Sequence, residues 1–210
     1  MGIFKPTGTS AALISAIKPH IKGGKLLDLG CGSGVIGAGL SHLVDDTYAS
    51  DISDEAVLHT IHEYPDLLVR CGNLFEPWED TKFDYIVDDV SGVAEEIAGV
   101  SPWFDGVLCN SGVDGANLIV EVLKKSPDYL NKEGKLFFPV VSLSNVERIL
   151  DTARQIFNVE LLSRTHFPLP SEMLKHRDMF RKLKSAGIQF EERFGMIVFY
   201  TDIYMGKVKC

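Results

Sequence analysis

An apolar run, Lys25-Leu26-Leu27-Asp28-Leu29, passes directly into Gly30-Cys31-Gly32-Ser33-Gly34, a strand ending in a turn with three glycines at alternate positions. Glycine lets such a turn close tightly and lets a ligand lie against bare backbone. Asp51 follows Gly32 by 19 residues, at the end of the next strand. A carboxylate there can accept both hydroxyls of a ribose bound over the turn. The two features together are far more specific than either alone.

Further along, apolar runs bounded by Gly, Asp or Asn alternate with helical patterns, as in a doubly wound, Rossmann-like α/β sheet. Lys25–Leu29, Thr47–Ser50, Leu67–Cys71, Phe83–Val87, Lys135–Val140, Val159–Leu162 and Gly195–Tyr200 read as seven strands. Helices are expected after Gly34, from about Ser53, over Val113–Lys125, and from a Ser144-x-x-Glu147 capping box to about Gln155. Residues 164–193 form a long insertion between the last two strands and a candidate substrate cover. Within it Ser171–Ala186 reads as a helix, with Ser171 as N-cap and Gly187 just past its end. Met173, His176, Phe180 and Leu183 are spaced as its buried stripe, and Lys175, Arg177, Arg181, Lys182 and Lys184 make it basic. Arg177 and Arg181 are four apart and share a face, either to grip an anionic group of a substrate or to stand in solvent.

The 210 residues suit one domain over 1–210, with an ordinary 45% hydrophobic and 24% charged content. No segment approaches the ~20 consecutive apolar residues of a membrane-spanning helix. The first residues lack the basic start, apolar core and small-residue cleavage site of a secretory signal. A cytoplasmic protein with no membrane partner is therefore expected. Cys31, Cys71, Cys109 and Cys210 show no CxxC pair or zinc-site spacing, so free thiols and no metal are expected. With 29 acidic and 21 basic residues the formal charge is −8, which speaks against general nucleic-acid binding.

Two cofactors compete for the turn. Gly32-Ser33-Gly34-Val35-Ile36-Gly37 satisfies the dinucleotide pattern GxGxxG, which would make the chain a nicotinamide-dependent oxidoreductase. That register leaves Asp28 and Gly30 without a task and sets a pyrophosphate near a carboxylate. S-adenosyl-L-methionine has no phosphate; it presents an ammonium and a sulfonium, for which Asp28 is a suitable direct or water-bridged neighbour.

Asp28-Leu29-Gly30-Cys31-Gly32-Ser33-Gly34 resembles the signature of class I S-adenosylmethionine-dependent methyltransferases. Gly72-Asn73-Leu74-Phe75-Glu76, Phe83-Asp84-Tyr85-Ile86-Val87 and Gly112-Val113-Asp114-Gly115 are similar to segments of the release-factor glutamine methyltransferase catalytic domain. The resemblance covers roughly residues 4–157 and implies a seven-strand, mostly parallel sheet with an antiparallel last strand. It implies that Gly30, Gly32 and Gly34 line the methionine part of the cofactor, with Asp28 and Cys31 of the same turn beside it. Asp51 would hold the ribose, Ile52 would pack near the adenine, and Asn73, followed by Leu74, would meet the adenine edge. An amide can both accept and donate there. Phe4, Thr7 and Thr9 match an entry segment that covers the cofactor.

The N-P-P-Y motif of that group is absent; Asp88-Asp89-Val90-Ser91-Gly92 stands in its place. Asp89 takes the asparagine position and is the candidate catalytic base, with Asp88 on the cofactor side. Trp103 and Phe104 are candidates for an apolar substrate wall. His166, at the end of the sixth strand, is a further candidate substrate residue. The leading expectation is methyl transfer to a nitrogen or oxygen of a small molecule, with an anionic one as an option. A glutamine-type protein N-methyltransferase, the nicotinamide enzyme and a non-catalytic cofactor-binding subunit are the alternatives.

Overall fold

The computed structural model describes residues 2–90, 92–107 and 109–209. Cys210, expected as a free thiol, and Ser91, in the segment that replaces N-P-P-Y, lie outside the described residues; Cys31, Cys71 and Cys109 are free thiols. Among the described residues there are eight strands: β1 (Lys25–Leu29), β2 (Asp46–Asp51), β3 (Leu68–Cys71), β4 (Phe83–Asp88), β5 (Leu130–Val141), β6 (Phe157–Pro168), β7 (Glu191–Arg193) and β8 (Met196–Val208). They form one sheet in the order β3-β2-β1-β4-β5-β8-β6, with β7 added to β8. The first five strands pair in parallel, and β8 runs antiparallel to both β5 and β6.

Side chains alternate across the sheet, and the two faces carry separate cores. Leu27, Ile86, Leu136 and Phe138 pack with α5 (Asn117–Lys125) and α6 (Val146–Ile156). Their neighbours Leu26, Val87 and Phe137 face the other way, toward the N-terminal helix α1 (Gly8–Ile17) and α2 (Val35–Leu40). Burial on both faces explains why β1 reads as a near-continuous apolar run. The helix α3 (Asp54–Glu63) is capped by Ser53, whose hydroxyl accepts from the Ala56 amide.

A further core lies beyond the sheet's carboxyl edge. There the insertion residues Met173, Phe180 and Leu183 pack with Val93, Ile97 of α4 (Glu95–Ala98) and Phe199. The segment after β4 and the insertion thus share one hydrophobic centre.

Several boundaries differ from the sequence reading. The strands β5, β6 and β8 run longer than their apolar cores, because antiparallel pairing carries β6 and β8 together from Phe157–Val208 to Pro168–Val198. Polar Asp202 is buried within that ladder, held by a bidentate Arg164 at 2.6 and 2.7 Å. The strand β7 is additional. Asn145, not Ser144, caps α6: its side chain accepts from the Arg148 amide at 3.1 Å, while Ser144 Oγ turns back to the Val141 carbonyl. The helix α5 begins only at Asn117, since Gly112 and Gly115 hold a left-handed turn before it. The basic helix is broken into a 3₁₀ segment Ser171–His176, α7 (Arg177–Leu183) and a 3₁₀ end at Lys184–Ala186. Ser171 is not its cap; its hydroxyl turns to Glu172. Gly187 ends it at φ +91°, and Met173, Phe180 and Leu183 are buried, with His176 only partly so.

Candidate active site

The glycine turn is stitched to β2, with the amides of Gly30 and Cys31 both donating to the Ser50 carbonyl at 2.9 and 3.0 Å. Gly30 has φ +76°, and a Cβ there would stand 2.9 Å from Val90 Cγ1. Gly32, at φ +50°, donates its amide to Asp51 Oδ2 at 2.9 Å, while Asp51 Oδ1 accepts from the Ser53 amide at 2.9 Å. The carboxylate is held rigid, and each oxygen keeps a lone pair for a further donor. Ile52 is 58% exposed although apolar. Asn73 meets Glu76 through its Nδ2 at 3.4 Å, and Leu74 takes the left-handed φ of +49° that a leucine rarely adopts.

These groups open onto a cavity of about 500 Å³. Phe4, Thr7, Thr9, Gly30, Gly32, Asp51, Ile52, Asn73 and Leu74 all line it. So do Asp89, whose amide donates to the Leu29 carbonyl at 3.2 Å, and Trp103 and Phe104.

Four residues of the carried-over set sit behind the cavity wall. Gly34 is the N-cap of α2, and a Cβ there would stand 2.5 Å from Thr60 Cγ2, so its role is close packing against α3. Cys31 is buried beside the Thr60 hydroxyl, with its thiol pushed up by burial and then by Asp28 and Asp51. Asp28 is fully buried; its Oδ2 accepts from the Gly37 amide at 2.8 Å, and its Oδ1 has no partner among the described residues. Burial pushes it up to about 7, against the lowering effect of that amide. Asp88 is also raised to about 7 by burial; its Oδ1 accepts from the Val90 amide at 3.1 Å and its Oδ2 has no partner among the described residues. Gly37 is the last glycine of the overlapping dinucleotide pattern. Its amide is taken by Asp28, so a pyrophosphate at that helix end would face a buried carboxyl.

Asp89 follows β4 and faces the cavity. Its Oδ2 accepts from Ser10 Oγ at 3.4 Å. Burial, and after it the carboxyls of Asp28 and Asp88, hold it well above the usual carboxylate range, while Ser10 works the other way. No group of three His, Cys, Asp or Glu side chains gathers as a metal site among the described residues.

Part of the cavity wall is a set of aromatic rings. Trp103 and Phe199 lie 5.5 Å apart between centroids, Phe199 and Phe167 5.6 Å, and Phe4 and Phe104 5.4 Å. Phe199, Phe167 and Ser10 are absent from the sequence reading. The register shift between Leu161 and Ser163 turns Phe167 inward, so no apolar pattern in the sequence signals it. His166 is exposed, 6.0 Å from the Tyr200 ring, and does not line the cavity. Arg177 and Arg181 do not line it either. Arg177 Nη2 donates to the Gly195 carbonyl at 2.9 Å, and Arg181 grips Glu192 with two bonds of 3.0 Å. Packing of Phe180 and Leu183 into the shared core turns those cations toward the β7–β8 hairpin instead.

Comparison with known proteins agrees with this geometry. Residues 6–89 match the family described as Methyltransferase small domain. The chain is 25% identical over 176 residues to a ubiquinone biosynthesis O-methyltransferase of Xanthomonas axonopodis, spanning 83% of this chain and 66% of that protein. It is 29% identical over 161 residues to ribosomal RNA small subunit methyltransferase C of Erwinia tasmaniensis, spanning 71% of this chain and 41% of that one. Its fold superposes with a TM-score of 0.54 on a TehB-like SAM-dependent methyltransferase of Corynebacterium glutamicum, at 18% identity over 95% of this chain and 87% of that one. A particular closeness to the release-factor glutamine methyltransferases is not among these findings. Sheet order, glycine turn and the family matched over residues 6–89 together support a class I S-adenosylmethionine-dependent methyltransferase domain.

Proposed function

We propose that the protein transfers the methyl group of S-adenosyl-L-methionine to an oxygen or nitrogen of a small molecule. The observation that carries this reading is the single cavity, which runs from the glycine turn and Asp51, past Asp89, to the ring-lined lobe. The residues present fit the cofactor: the bare Gly30–Gly32 backbone for the methionine part, the anchored Asp51 for the ribose, exposed Ile52 and Asn73 for the adenine. When bound, it supplies a methyl carbon on positive sulfur, which an acceptor lone pair takes while the carbon–sulfur pair stays on sulfur as a neutral thioether. The protein's own work is alignment, exclusion of water and removal of a proton. Asp89 is the acceptor for that proton, and its raised affinity for protons makes it a stronger base than an ordinary carboxylate.

Resemblance to a ribosomal RNA methyltransferase makes a macromolecular acceptor the competing reading. The apolar, ring-lined cavity and the formal charge of −8 favour the small molecule. Extract split into small-molecule, protein and RNA fractions and incubated with methyl-labelled cofactor should take label in the first. Label confined to RNA or protein would overturn the reading. Asp89→Asn should lower turnover ~10²-fold or more, with S-adenosylhomocysteine affinity unchanged by calorimetry.

A further inference from the structure

We infer that the acceptor is an uncharged, flat aromatic molecule bearing a hydroxyl, seated in the ring-lined lobe with that hydroxyl toward Asp89. The inference rests on the methyl-transfer reading and adds the substrate class to it.

Shape comes first. Five aromatic rings, those of Phe4, Trp103, Phe104, Phe167 and Phe199, face one cavity, and Pro139, Pro168 and Pro170 add flat apolar surface. Ring pairs at 5.4 to 5.6 Å with tilts of 35 to 56° present faces and edges together, the arrangement into which another ring inserts favourably.

Charge then narrows the class. The described residues lining the cavity include Asp51 and Asp89 but no lysine, arginine or histidine. An anionic acceptor would give up its hydration without a cation to meet it. The adjoining cleft, which shares Phe104 and Val107, adds Glu95, Asp105 and Glu172 and again no lysine, arginine or histidine among the described residues. A cationic acceptor would have to leave water for an apolar lobe whose one carboxyl, Asp89, is already bonded to Ser10. A hydroxyl needs no counter-ion: it hydrogen-bonds to Asp89, and its proton passes to the ionised carboxyl and from there to water as the methyl group is transferred. A phenolic hydroxyl ionises near ~10, so a base stronger than an ordinary carboxylate narrows the gap to it.

Three probes of one shape separate these classes: 2-naphthol, 2-naphthoate and 2-naphthylmethylammonium, titrated calorimetrically at neutral pH into protein saturated with S-adenosylhomocysteine. The S-adenosylhomocysteine titration is run first, and its failure would strike the methyl-transfer reading itself. With that ligand bound, 2-naphthol should bind at least tenfold more tightly than either charged probe. Its affinity should fall tenfold or more in Phe199→Ala, and likewise in the half-buried Trp103→Leu should the first variant not fold. Equal or tighter binding of a charged probe, binding of none of the three, or naphthol affinity unchanged in Trp103→Leu would overturn the inference while leaving methyl transfer standing.

Discussion

Ser10, buried in the first turn of α1, donates its hydroxyl to Asp89 Oδ2 at 3.4 Å, so the N-terminal helix touches the carboxyl proposed as the base. The same Oγ accepts from the Thr7 amide, completing a capping box, and one residue earlier Thr9 Oγ1 lies 3.1 Å from Thr201 Oγ1 of β8. Upstream, the Gly2 amide donates to the Gly106 carbonyl at 2.6 Å, and the Phe4 ring meets Phe104. The N-terminal segment is therefore tied at once to the loop at 104–106, to β8 and to Asp89 just past β4.

Removing that hydroxyl has two separable consequences. A hydrogen bond to the ionised form lowers a carboxyl's proton affinity, so its loss in Ser10→Ala raises Asp89 further. Activity that needs ionised Asp89 should then fall at neutral pH, and the acid limb of the kcat profile should move to higher pH. Loss of half the capping box should also cost ~1 kcal/mol of stability. A stability loss with an unmoved pH profile would confine Ser10 to capping.

Asp51 holds the turn with the same two oxygens that are proposed to hold the ribose. In Asp51→Asn only one oxygen remains to accept from Gly32 and Ser53, and the amide nitrogen would face an N–H donor. The dissociation constant for S-adenosylhomocysteine should rise tenfold or more, about 1.4 kcal/mol. Calorimetry reads this directly, and unchanged affinity would remove Asp51 from the cofactor site.

Asp88 carries a pH signature of its own. Its folded-state value of about 7 lies above the ordinary 3.8, so between those values the unfolded chain is ionised and the folded chain is not. The unfolded state then binds fewer protons, and stability falls as pH rises through that window, by up to about 1.4 kcal/mol per pH unit. Asn keeps an acceptor for the Val90 amide and cannot ionise. Asp88→Asn should therefore melt at a higher temperature than the natural protein at about pH 8 and match it near pH 4. Asp28 retains the same dependence in that variant, so the slope should diminish rather than vanish. A variant less stable at both pH values would refute the buried-acid account.

The glycine-turn side of the proposed site was legible in sequence, apart from Asp28, Cys31, Gly34 and Asp88 behind the wall, because its requirements are local. Gly30 and Gly32 need positive φ, Asp51 ends a strand, and Asp89 lies just past the end of its strand by simple counting. The ring-lined lobe was only partly legible: Trp103 and Phe104 stand out as an aromatic pair in a loop, but Phe167 and Phe199 depend on which way a strand turns. Register between β6 and β8 shifts between Leu161 and Ser163, which reverses the expected alternation downstream. Phe167 consequently faces the cavity and His166 the solvent side, a swap of neighbours that no apolar pattern announces. Likewise the ring chain joins residues 4, 103, 104, 167 and 199, which only tertiary packing brings together.

The pair Arg177 and Arg181 tests how far helical spacing alone can locate a substrate contact. They do share a face, as their separation of four requires, but that face looks at the β7–β8 hairpin. Arg181 holds Glu192 of β7 and Asp178 of its own helix, and Arg177 holds the Gly195 carbonyl at the hairpin turn. Phe194, beside that carbonyl, is fully exposed at φ +49°, so little else fixes the turn. Replacing both arginines with glutamine removes the ties without touching the cavity lining. The Michaelis constant for the acceptor should stay unchanged, at low and at moderate salt alike, because no charge is withdrawn from the lobe. Amide hydrogen exchange over 191–196 should accelerate, since the hairpin keeps its ladder to β8 but loses its clamp to α7. A raised Michaelis constant that grows at low salt would show instead that these cations act on the substrate, and the uncharged acceptor would have to be abandoned with them.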